Sequence, residues 1–481
     1  MDTNHPISNT GHRTCNSRTR HSRAGGNPVH TTGYWVPACA GMTSKRRITT
    51  DRAPTGNRSM CNVHSRAGYL YVAVMITATL VGLVGLSAVS VARLNLRTTT
   101  RTGDSSSADS LAQSAVEHAL AVLQNDPAWR TTYQNNTEYP TTPISMNGGT
   151  VTWKLIDVDA SLNDDDSDTV RIYGIGRHGS ATSVQSVQLY PTKNPLSCTE
   201  AAFHCASSVS LGNLINWSTD DEISTNGSLT ANGFGTSITG NVYAAGSIAG
   251  SISGTQTSAA AVRRMPGSSV FDYYKARGTW VDINALPVSS GKRMIEKTIV
   301  SPTTSPWGLT NSAGIYVIDC GGQDLEIKNS RILGTLVLLN PGAGCLTSYA
   351  VHWDAAVSNL PALLVEGDFL ICHSQSNLKE SDHSTNFNLT GTPFDGEEDS
   401  DTTDEYASEI NGIVYTSVKL TILTQSSRTH VNGSTICGSS SCISAATFNH
   451  KPIFTSYPPP GFASGSEMEV IPGTWRRDVL P

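Results

Sequence analysis

Residues 65–69 read Ser-Arg-Ala-Gly-Tyr, and the chain then continues to Ala92 without an Asp, Glu, Lys, Arg or His side chain. In a helix that rises 1.5 Å per residue, Tyr69–Ala92 is about 36 Å long, which crosses a bilayer core of about 30 Å with some tilt. The stretch therefore predicts a transmembrane helix over residues 69–92. It decides the fold because everything after it must be built as a domain attached to one membrane span.

Two other interpretations of the apolar run stay open. The first is a buried helix of a soluble protein, although such helices rarely remain uncharged over this length. The second is a cleaved secretory signal, whose apolar core is usually about 7–15 residues long and therefore shorter than this one. Residues 87–90, Ser-Ala-Val-Ser, are the candidate cleavage region for that alternative.

The charge distribution predicts the orientation of the span. Residues 1–68 carry ten basic and two acidic side chains, and the remainder carries 23 basic and 37 acidic ones. Basic flanks stay in the cytoplasm, so the carboxyl-terminal part is expected to face outwards from an inner membrane that the chain crosses once. Arg93, Arg97 and Arg101 argue weakly against this orientation, and they fit it better if the helix continues beyond the bilayer.

A second, amphipathic helix is predicted after the span. Following an expected loop at Gly103–Ser107, residues 108–123 place Leu111, Ala115, Ala119 and Val122 at helical spacing. Pro127 is expected to end this helix.

Together, the Ala-Gly-Tyr junction, the apolar run and the Ala-rich helix resemble the amino-terminal region of type IV prepilins. The likeness is to PilX-like minor pilins and GspK-type pseudopilins of type II secretion, over about residues 60–130. It implies a leader at 60–68 that prepilin peptidase cleaves between Gly68 and Tyr69. It also implies inner-membrane lipid and other pilin or pseudopilin subunits as partners.

One residue departs from the pattern of most type IV pilins. Those proteins have Glu at the fifth mature position, where this chain has Ala73. In the family this Glu is thought to pair with a neighbouring subunit's terminal amine, and its absence resembles GspK-type subunits at a filament tip. The resemblance therefore implies a minor or tip subunit. A single-span anchored protein that never polymerises is the alternative.

The first 59 residues are predicted to be a disordered extension. They lack apolar periodicity, so no core is available to them. Residues 21–29 and 33–43 resemble a translated bacterial intergenic repeat, which would place the natural start at Met60. A basic nucleic-acid-binding arm is the competing interpretation. We favour the disordered extension and therefore expect no nucleic acid among the partners.

Residues 93–195 are predicted to be a pilin-like helix with a β-meander. Three alternating segments, 150–157, 169–175 and 183–190, are typical of strands separated by turns. Residues 196–481 are predicted to be a solenoid, because short aliphatic segments recur among Gly, Ser, Thr and Asn. The expected fold class is thus mainly β: a transmembrane helix and a small α+β region, followed by an irregular right-handed parallel β-helix.

The solenoid texture is clearest in residues 222–254 and returns from residue 314 onwards. In texture it resembles bactofilin-like and pectate-lyase-like β-helices. Residues 268–300 are expected to form an excursion across the stack, and residues 472–481 to cover the last coil.

An acidic segment between the first two predicted strands has the ligand order of a calcium loop. Oxygen-bearing side chains fall at positions 1, 3, 5, 7, 9 and 12 of residues 157–168. These candidate ligands are Asp157, Asp159, Ser161, Asn163, Asp165 and Asp168. Leu162 stands where an EF-hand needs Gly, and strands flank the segment, so this is no EF-hand. A calcium loop and a solvated acidic hairpin both remain open.

Seven of the ten cysteines follow the span, which is consistent with an oxidising compartment. Close spacing makes Cys198–Cys205 and Cys437–Cys442 candidate disulfides, and Cys320–Cys345 could link adjacent coils. Sequence alone does not fix this pairing, and the scheme leaves Cys372 free.

The sequence contains none of the common catalytic fingerprints: no GxSxG, no HExxH, no P-loop and no Rossmann motif. The acidic run 395–405 is expected to be a solvated loop. We therefore expect a structural component with a head for adhesion to a surface ligand or carbohydrate, or for subunit contact, and no enzyme. A membrane-anchored polysaccharide lyase is the alternative, by analogy of fold alone.

Overall fold

The computed structural model describes residues 67–423, 428–442 and 444–480. The predicted extension 1–59 and the predicted leader up to Arg66 lie outside the described residues. Within them, a long amino-terminal apolar helix is followed by a β-rich domain, which confirms the mainly-β fold class. The α-helices are α1 Ala67–Asn125, α2 Trp129–Thr132, α3 Asp272–Arg277, α4 Glu380–His383 and α5 Ile453–Ser456.

Helix α1 is continuous from Ala67 to Asn125, so the predicted loop at Gly103–Ser107 is wrong. A glycine inside a helix costs only about 1 kcal/mol relative to alanine. The hydroxyl groups of Thr98 and Thr102 donate to carbonyl oxygens four residues earlier, at 2.9 Å in both cases. Such bonds satisfy the polar side chains of this stretch without breaking the helix.

The second half of α1 buries one face. Its buried residues recur every three or four positions, as an amphipathic helix requires. They are Ala108, Leu111, Ala112, Ala115, Val116, Ala119 and Leu123. Leu111, Ala115 and Ala119 of the predicted apolar stripe are buried as expected, whereas Val122 is half-buried and its neighbour Leu123 is the buried residue there.

This face packs on an antiparallel meander of four strands. The strands are β1 Tyr139–Met146, β2 Gly149–Asp157, β3 Val170–His178 and β4 Ala181–Pro191. The last three correspond to the predicted segments. Strand β1 was not predicted, because Pro140 and Pro143 interrupt it, and proline is tolerated only at the edge of a sheet, where β1 lies.

The remaining chain is built mainly of short strands that stack in parallel. They are β5 Asn194–Pro195, β6 Phe203–Cys205, β7 Val209–Ser210, β8 Asn216–Thr225, β9 Leu229–Ala231, β10 Ser237–Ala244, β11 Ile248–Gly250, β12 Gln256–Thr257, β13 Thr279–Asp282, β14 Val288–Ser289, β15 Lys292–Glu296, β16 Ile299–Val300, β17 Ile315–Asp319, β18 Leu325–Leu333, β19 Thr335–Leu339, β20 Leu346–Asp354, β21 Leu363–Val365, β22 Phe369–His373, β23 Asn377–Lys379, β24 Glu405–Ala407, β25 Glu409–Ile422, β26 Thr429–Cys442, β27 Ala446–His450 and β28 Ala463–Ser464. Stacking in successive coils lets each short strand bury its apolar residues against its neighbours.

The coils do not stack in chain order. One row of register partners passes through them in the sequence Trp280, Val317, Val337, Leu364, Tyr415, Ile436, His204, Ser224, Tyr243 and Thr257. The chain therefore enters the stack in the middle, at β6, and builds outwards to β12. It resumes at the opposite end with β13 and returns to the middle through β26 and β27. We call the pairing of β26 with β6 and of β27 with β8 the seam.

The interior of the stack is apolar, and the seam is packed with aromatic rings. Phe203, Trp217 and Phe448 lie with ring centroids 4.9–5.0 Å apart, and all three are buried. Aromatic pairs at this separation stabilise a core beyond their area burial. The seam thus joins the first and last strands of the solenoid through a continuous core.

Residues 268–278 lie across the outside of the coils. Val270, Phe271 and Tyr274 pack on the outward side chains of β17, β19 and β25, among them Val317 and Tyr415. The expected excursion over 268–300 is therefore right only in its first part. Residues 279–300 instead form strands β13, β15 and β16 of the end coil.

The carboxyl terminus does not cover a coil, which corrects the expectation for residues 472–481. Strands β29 Met468–Val470 and β30 Arg476–Asp478 pair antiparallel with β4. They cover an edge of the meander that would otherwise present unpaired backbone groups. The boundary 196–481 accordingly does not enclose a separate domain, because residues from 468 onwards return to the amino-terminal sheet.

Candidate functional site

The first part of α1 is exposed on all sides. Tyr69, Val81 and Val84 have 82%, 73% and 69% of their surface accessible. Within the described chain, this is one helix that is long and apolar enough to cross a membrane, with a mean hydropathy of 2.3 in its best window. A helix that is apolar all round requires lipid or other helices around it.

The predicted processing junction lies in the first turn of α1, where Gly68 and Tyr69 follow the first helical residue, Ala67. Ala73 lies on the same exposed stretch. Its carbonyl oxygen accepts a hydrogen bond from the Thr77 hydroxyl at 3.0 Å. The methyl side chain of Ala73 is uncharged, unlike the Glu that most type IV pilins have at this position.

The acidic loop between β2 and β3 brings three of the six candidate ligands together. One carboxylate oxygen of each of Asp157, Asp159 and Asp168 lies within 4.8 Å of the others. Asp157 is the last residue of β2 and is buried, whereas Asp159 is exposed and Asp168 is half-buried. A turn closed by the Ala160 amide, which donates to the Asp157 carbonyl oxygen at 3.3 Å, bends the start of the loop. Positions 1, 3 and 12 come to lie side by side.

Two hydrogen bonds hold Asp157 in place, one with the Asn135 side chain and one with the Val158 backbone. Its amide donates to the side-chain oxygen of Asn135 at 2.8 Å, and its Oδ1 accepts from the Val158 amide at 2.6 Å. Its Oδ2 is buried and accepts no hydrogen bond from any residue that the structure describes, and it lies 3.9 Å from an Arg130 nitrogen. This oxygen therefore has unused capacity for a cation.

Arg130 is the centre of the loop, and sequence reasoning missed it. Its guanidinium donates to the carbonyl oxygens of Leu162, Asp165 and Asp168 at 3.2, 3.0 and 2.9 Å. The loop thus wraps round a buried positive charge that is supplied from α2. The sequence did not indicate this role, because Arg130 lies about 30 residues before the acidic loop.

The other predicted ligands are engaged elsewhere. The Ser161 hydroxyl donates to the Asn163 side chain at 3.3 Å. Asp165 accepts from the Ser167 amide and hydroxyl at 2.7 and 2.6 Å, and it pairs with Arg264. Because Arg264 lies between β12 and the segment 268–278 that crosses the coils, this ion pair ties the loop to the solenoid.

The electrostatics of the loop are unfavourable for bare carboxylates. Burial, assisted by the charge of Asp168, raises the pKa of Asp157 to about 6. Burial and the nearby Asp165 also raise the pKa of Asp168. At Asp165, burial acts in the same direction, but the Ser167 hydrogen bonds and Arg264 outweigh it and lower the pKa. A divalent cation among Asp157, Asp159 and Asp168 would relieve the repulsion that Arg130 leaves uncompensated.

The candidate cysteines fall into different parts of the β-rich domain. Cys198 is buried in the outer cluster with Val270, whereas Cys205 and Cys437 lie in the interior cluster. Cys320 and Cys345 are also in that interior cluster, and their thiols contact each other. The backbone of Cys442 ends β26. The three sequence-based pairings stay predictions.

His352, in strand β20, has its polar atoms satisfied within the fold. Its Nε2 lies 2.9 Å from Asp354 and its Nδ1 lies 2.9 Å from the Ala407 carbonyl oxygen. The ring packs edge-on to Phe394. Both ring nitrogens therefore have partners within the fold.

No protein-family model matches the sequence, and no curated protein matches it significantly. Among solved structures, the chain is similar to the competence-associated pilin ComZ from Thermus thermophilus. The sequence identity is 10% and the TM-score 0.29, over 78% of this chain and 97% of that chain. We draw nothing about function from a likeness at this level.

Proposed function

We propose that the chain is a membrane-anchored structural subunit of a type IV pilus or a type II secretion-like assembly. It would serve as a minor or tip subunit that presents its β-rich head outside the inner membrane, for adhesion or contact with other subunits. The observation that carries the proposal is α1 itself. One half of this continuous helix exposes apolar side chains on every face, and the other half packs on an antiparallel sheet.

Ala73 supports a position at the end of a filament over one in its shaft. A buried charge in a filament core needs a partner, because an unpaired one is costly. A subunit with alanine at this place neither offers nor requires that ion pair. A tip position is where such a subunit would be tolerated.

The proposal predicts cleavage between Gly68 and Tyr69. The full chain, produced in a bacterium with an active prepilin peptidase, should be purified from membranes with Tyr69 as its first residue, as intact-mass spectrometry would show. Gly68→Leu should abolish this cleavage, because a bulky side chain would stand next to the scissile bond. Ser65→Ala is the matched control and should be processed normally.

The host's own pilin provides the internal standard for this experiment. If that pilin is processed while the chain keeps residues 60–68, the proposal is wrong. Cleavage after the Ser-Ala-Val-Ser stretch, at residues 87–90, would instead identify a secretory signal.

We also propose that Ca²⁺ binds the carboxylates of Asp157, Asp159 and Asp168. Carboxylate oxygens are the ligands that calcium prefers. The support is the convergence of the three groups and the buried Oδ2 of Asp157, which accepts no hydrogen bond within the described part of the chain. A cation there would strengthen the loop where Arg264 joins it to the solenoid.

Calcium at about 5 mM should raise the free energy of unfolding of the full chain by about 1–2 kcal/mol, if the site has the millimolar to submillimolar affinity of extracellular modules. Urea denaturation of the detergent-solubilised protein, with calcium or with a chelator, measures this difference. Asp168→Asn should lose it. Asp164→Asn, an exposed residue of the same loop, should keep it. An equal response in both variants would show that calcium acts elsewhere.

A further inference from the structure

Two cysteines face each other across the seam. Cys205 ends β6 and Cys437 lies in β26, and they are direct register partners in parallel strands. Both are fully buried. Cys205 Sγ lies 3.9 Å from the Gly438 carbonyl oxygen, and Cys437 Sγ lies 3.8 Å from the His204 carbonyl oxygen. Each thiol thus reaches the backbone of the opposite strand.

The positions of the two residues satisfy the geometry of a disulfide. Adjacent strands of a sheet lie about 4.8 Å apart. That spacing is within the range of about 4.4–6.8 Å between the Cα atoms of disulfide-bonded cysteines. The two side chains belong to the same inward row, which also contains Thr416 and Thr225 in the flanking coils, and the two thiols contact each other.

A covalent link at the seam would close a long loop of the chain. Cys205 and Cys437 are about 230 residues apart in sequence, and between them the chain builds both ends of the solenoid. Strand β6 has only three residues, so few backbone hydrogen bonds hold it to β26. A cross-link that closes so long a loop restricts the unfolded chain strongly.

We infer that Cys205 and Cys437 form a disulfide that closes the solenoid at its seam. In the reaction, the thiolate of one cysteine attacks the disulfide of an oxidoreductase or of oxidised glutathione and gives a mixed disulfide. The second thiolate then displaces the oxidant's sulfur. Two S–H bonds are lost and one S–S bond forms, while the oxidant takes up two electrons and two protons and leaves as thiols. The inference rests on the proposed extracytoplasmic location for its supply of oxidant.

This pairing differs from the sequence-based one, which placed Cys205 with Cys198 and Cys437 with Cys442. Cys198 lies in the outer cluster, on the other side of the coil wall from the interior row. The predicted Cys320–Cys345 link is compatible with the new pairing, because it joins a different pair of interior residues.

Peptide mapping of the full chain tests the inference in two preparations. The first is the protein taken from bacterial membranes, with free thiols trapped by N-ethylmaleimide. The second is the purified chain in detergent, reduced, unfolded in urea and refolded in a glutathione redox buffer. In both, we expect one peptide pair that joins Cys205 to Cys437, and reduction should lower the midpoint of thermal unfolding by roughly 5–10 °C.

Two variants distinguish a disulfide between Cys205 and Cys437 from the packing of two reduced thiols. Cys205→Ala with Cys437→Ala should fold and show a clearly smaller shift on reduction than the unmodified chain, whereas Cys372→Ser, a half-exposed cysteine outside the row, should keep the full shift. Maleimide on both Cys205 and Cys437 after glutathione refolding, or a peptide that joins Cys437 to another cysteine, overturns the inference. A link that forms in the redox buffer but not in membranes upholds the pairing and contradicts the extracytoplasmic location.

Discussion

Replacing Arg331 with methionine should release the inserted segment 374–408 from the coils. Arg331 lies in β18 and is only 2% exposed. Its guanidinium donates to the carbonyl oxygens of Phe387, Thr392 and Pro393 at 2.8, 2.8 and 2.7 Å. These bonds anchor a segment that has little other regular structure.

Aromatic rings complete the anchor. The guanidinium carbon lies 5.3 Å from the ring centroid of Phe394 and 5.2 Å from that of Tyr406. Removing the charge leaves three carbonyl oxygens without donors and two rings without their cation, at a cost of about 3–5 kcal/mol. Detachment of the segment would rehydrate those oxygens, so the loss should be local.

Hydrogen exchange of the full chain measures this effect. In the Arg331→Met variant, amides of residues 387–394 should exchange at least about a hundredfold faster, while the interior of the coils keeps its protection. Lys328→Met is the matched control on the same strand. Lys328 makes partly exposed ion pairs with Glu296 and Glu326, at 3.6 and 4.0 Å, and its Nζ lies 5.6 Å from the ring centroid of the exposed Tyr349. Its loss should therefore cost less than about 1 kcal/mol. Unchanged exchange in Arg331→Met would show that the segment is held by other contacts.

The segment also shows what the sequence could predict. The acidic run 395–405 was expected to be a solvated loop, and most of it is exposed. Nothing in the sequence indicated that Arg331 anchors residues 387–393, just before that acidic run, because the contact joins residues about 60 positions apart. Composition predicts which residues meet water, but it does not predict which distant carbonyl groups a buried arginine will reach.

The same limit applies to the acidic loop and the solenoid. Local spacing predicted the stripe of α1 and three strands of the meander, because periodicity is a property of neighbouring residues. It did not predict that Arg130 would occupy the centre of the loop or that β26 would return to β6. It also did not predict that β29 and β30 would pair with β4. These features depend on pairings between distant segments, for which one sequence carries no periodic signal.

The strongest constraint on the position of α1 is expected at two glycines of β3. A Cβ atom at Gly176 would lie 2.2 Å from the Ala108 carbonyl oxygen and 2.4 Å from the Ala112 amide nitrogen. At Gly174 it would lie 2.3 Å from the Ala112 carbonyl oxygen. Real Cβ atoms do not approach backbone atoms so closely, so α1 lies directly on the strand.

Gly176→Ala should therefore force α1 away from the sheet. Neither the helix backbone nor the strand can yield without opening the core that contains Val116, Trp153 and Ile172. Overpacking of this kind costs about 1–3 kcal/mol, and the two backbone contacts place Gly176→Ala at the upper end of that range. Urea denaturation followed by tryptophan fluorescence measures the loss.

Gly103→Ala provides the matched control, since Gly103 is an exposed position of the same helix with no atom near its would-be Cβ. There, alanine should stabilise the helix by up to about 1 kcal/mol. Opposite signs for the two Gly→Ala changes would show that contact with β3, rather than helix propensity, fixes the second half of α1. If Gly176→Ala were as stable as the unmodified chain, the close packing of helix and sheet would be wrong.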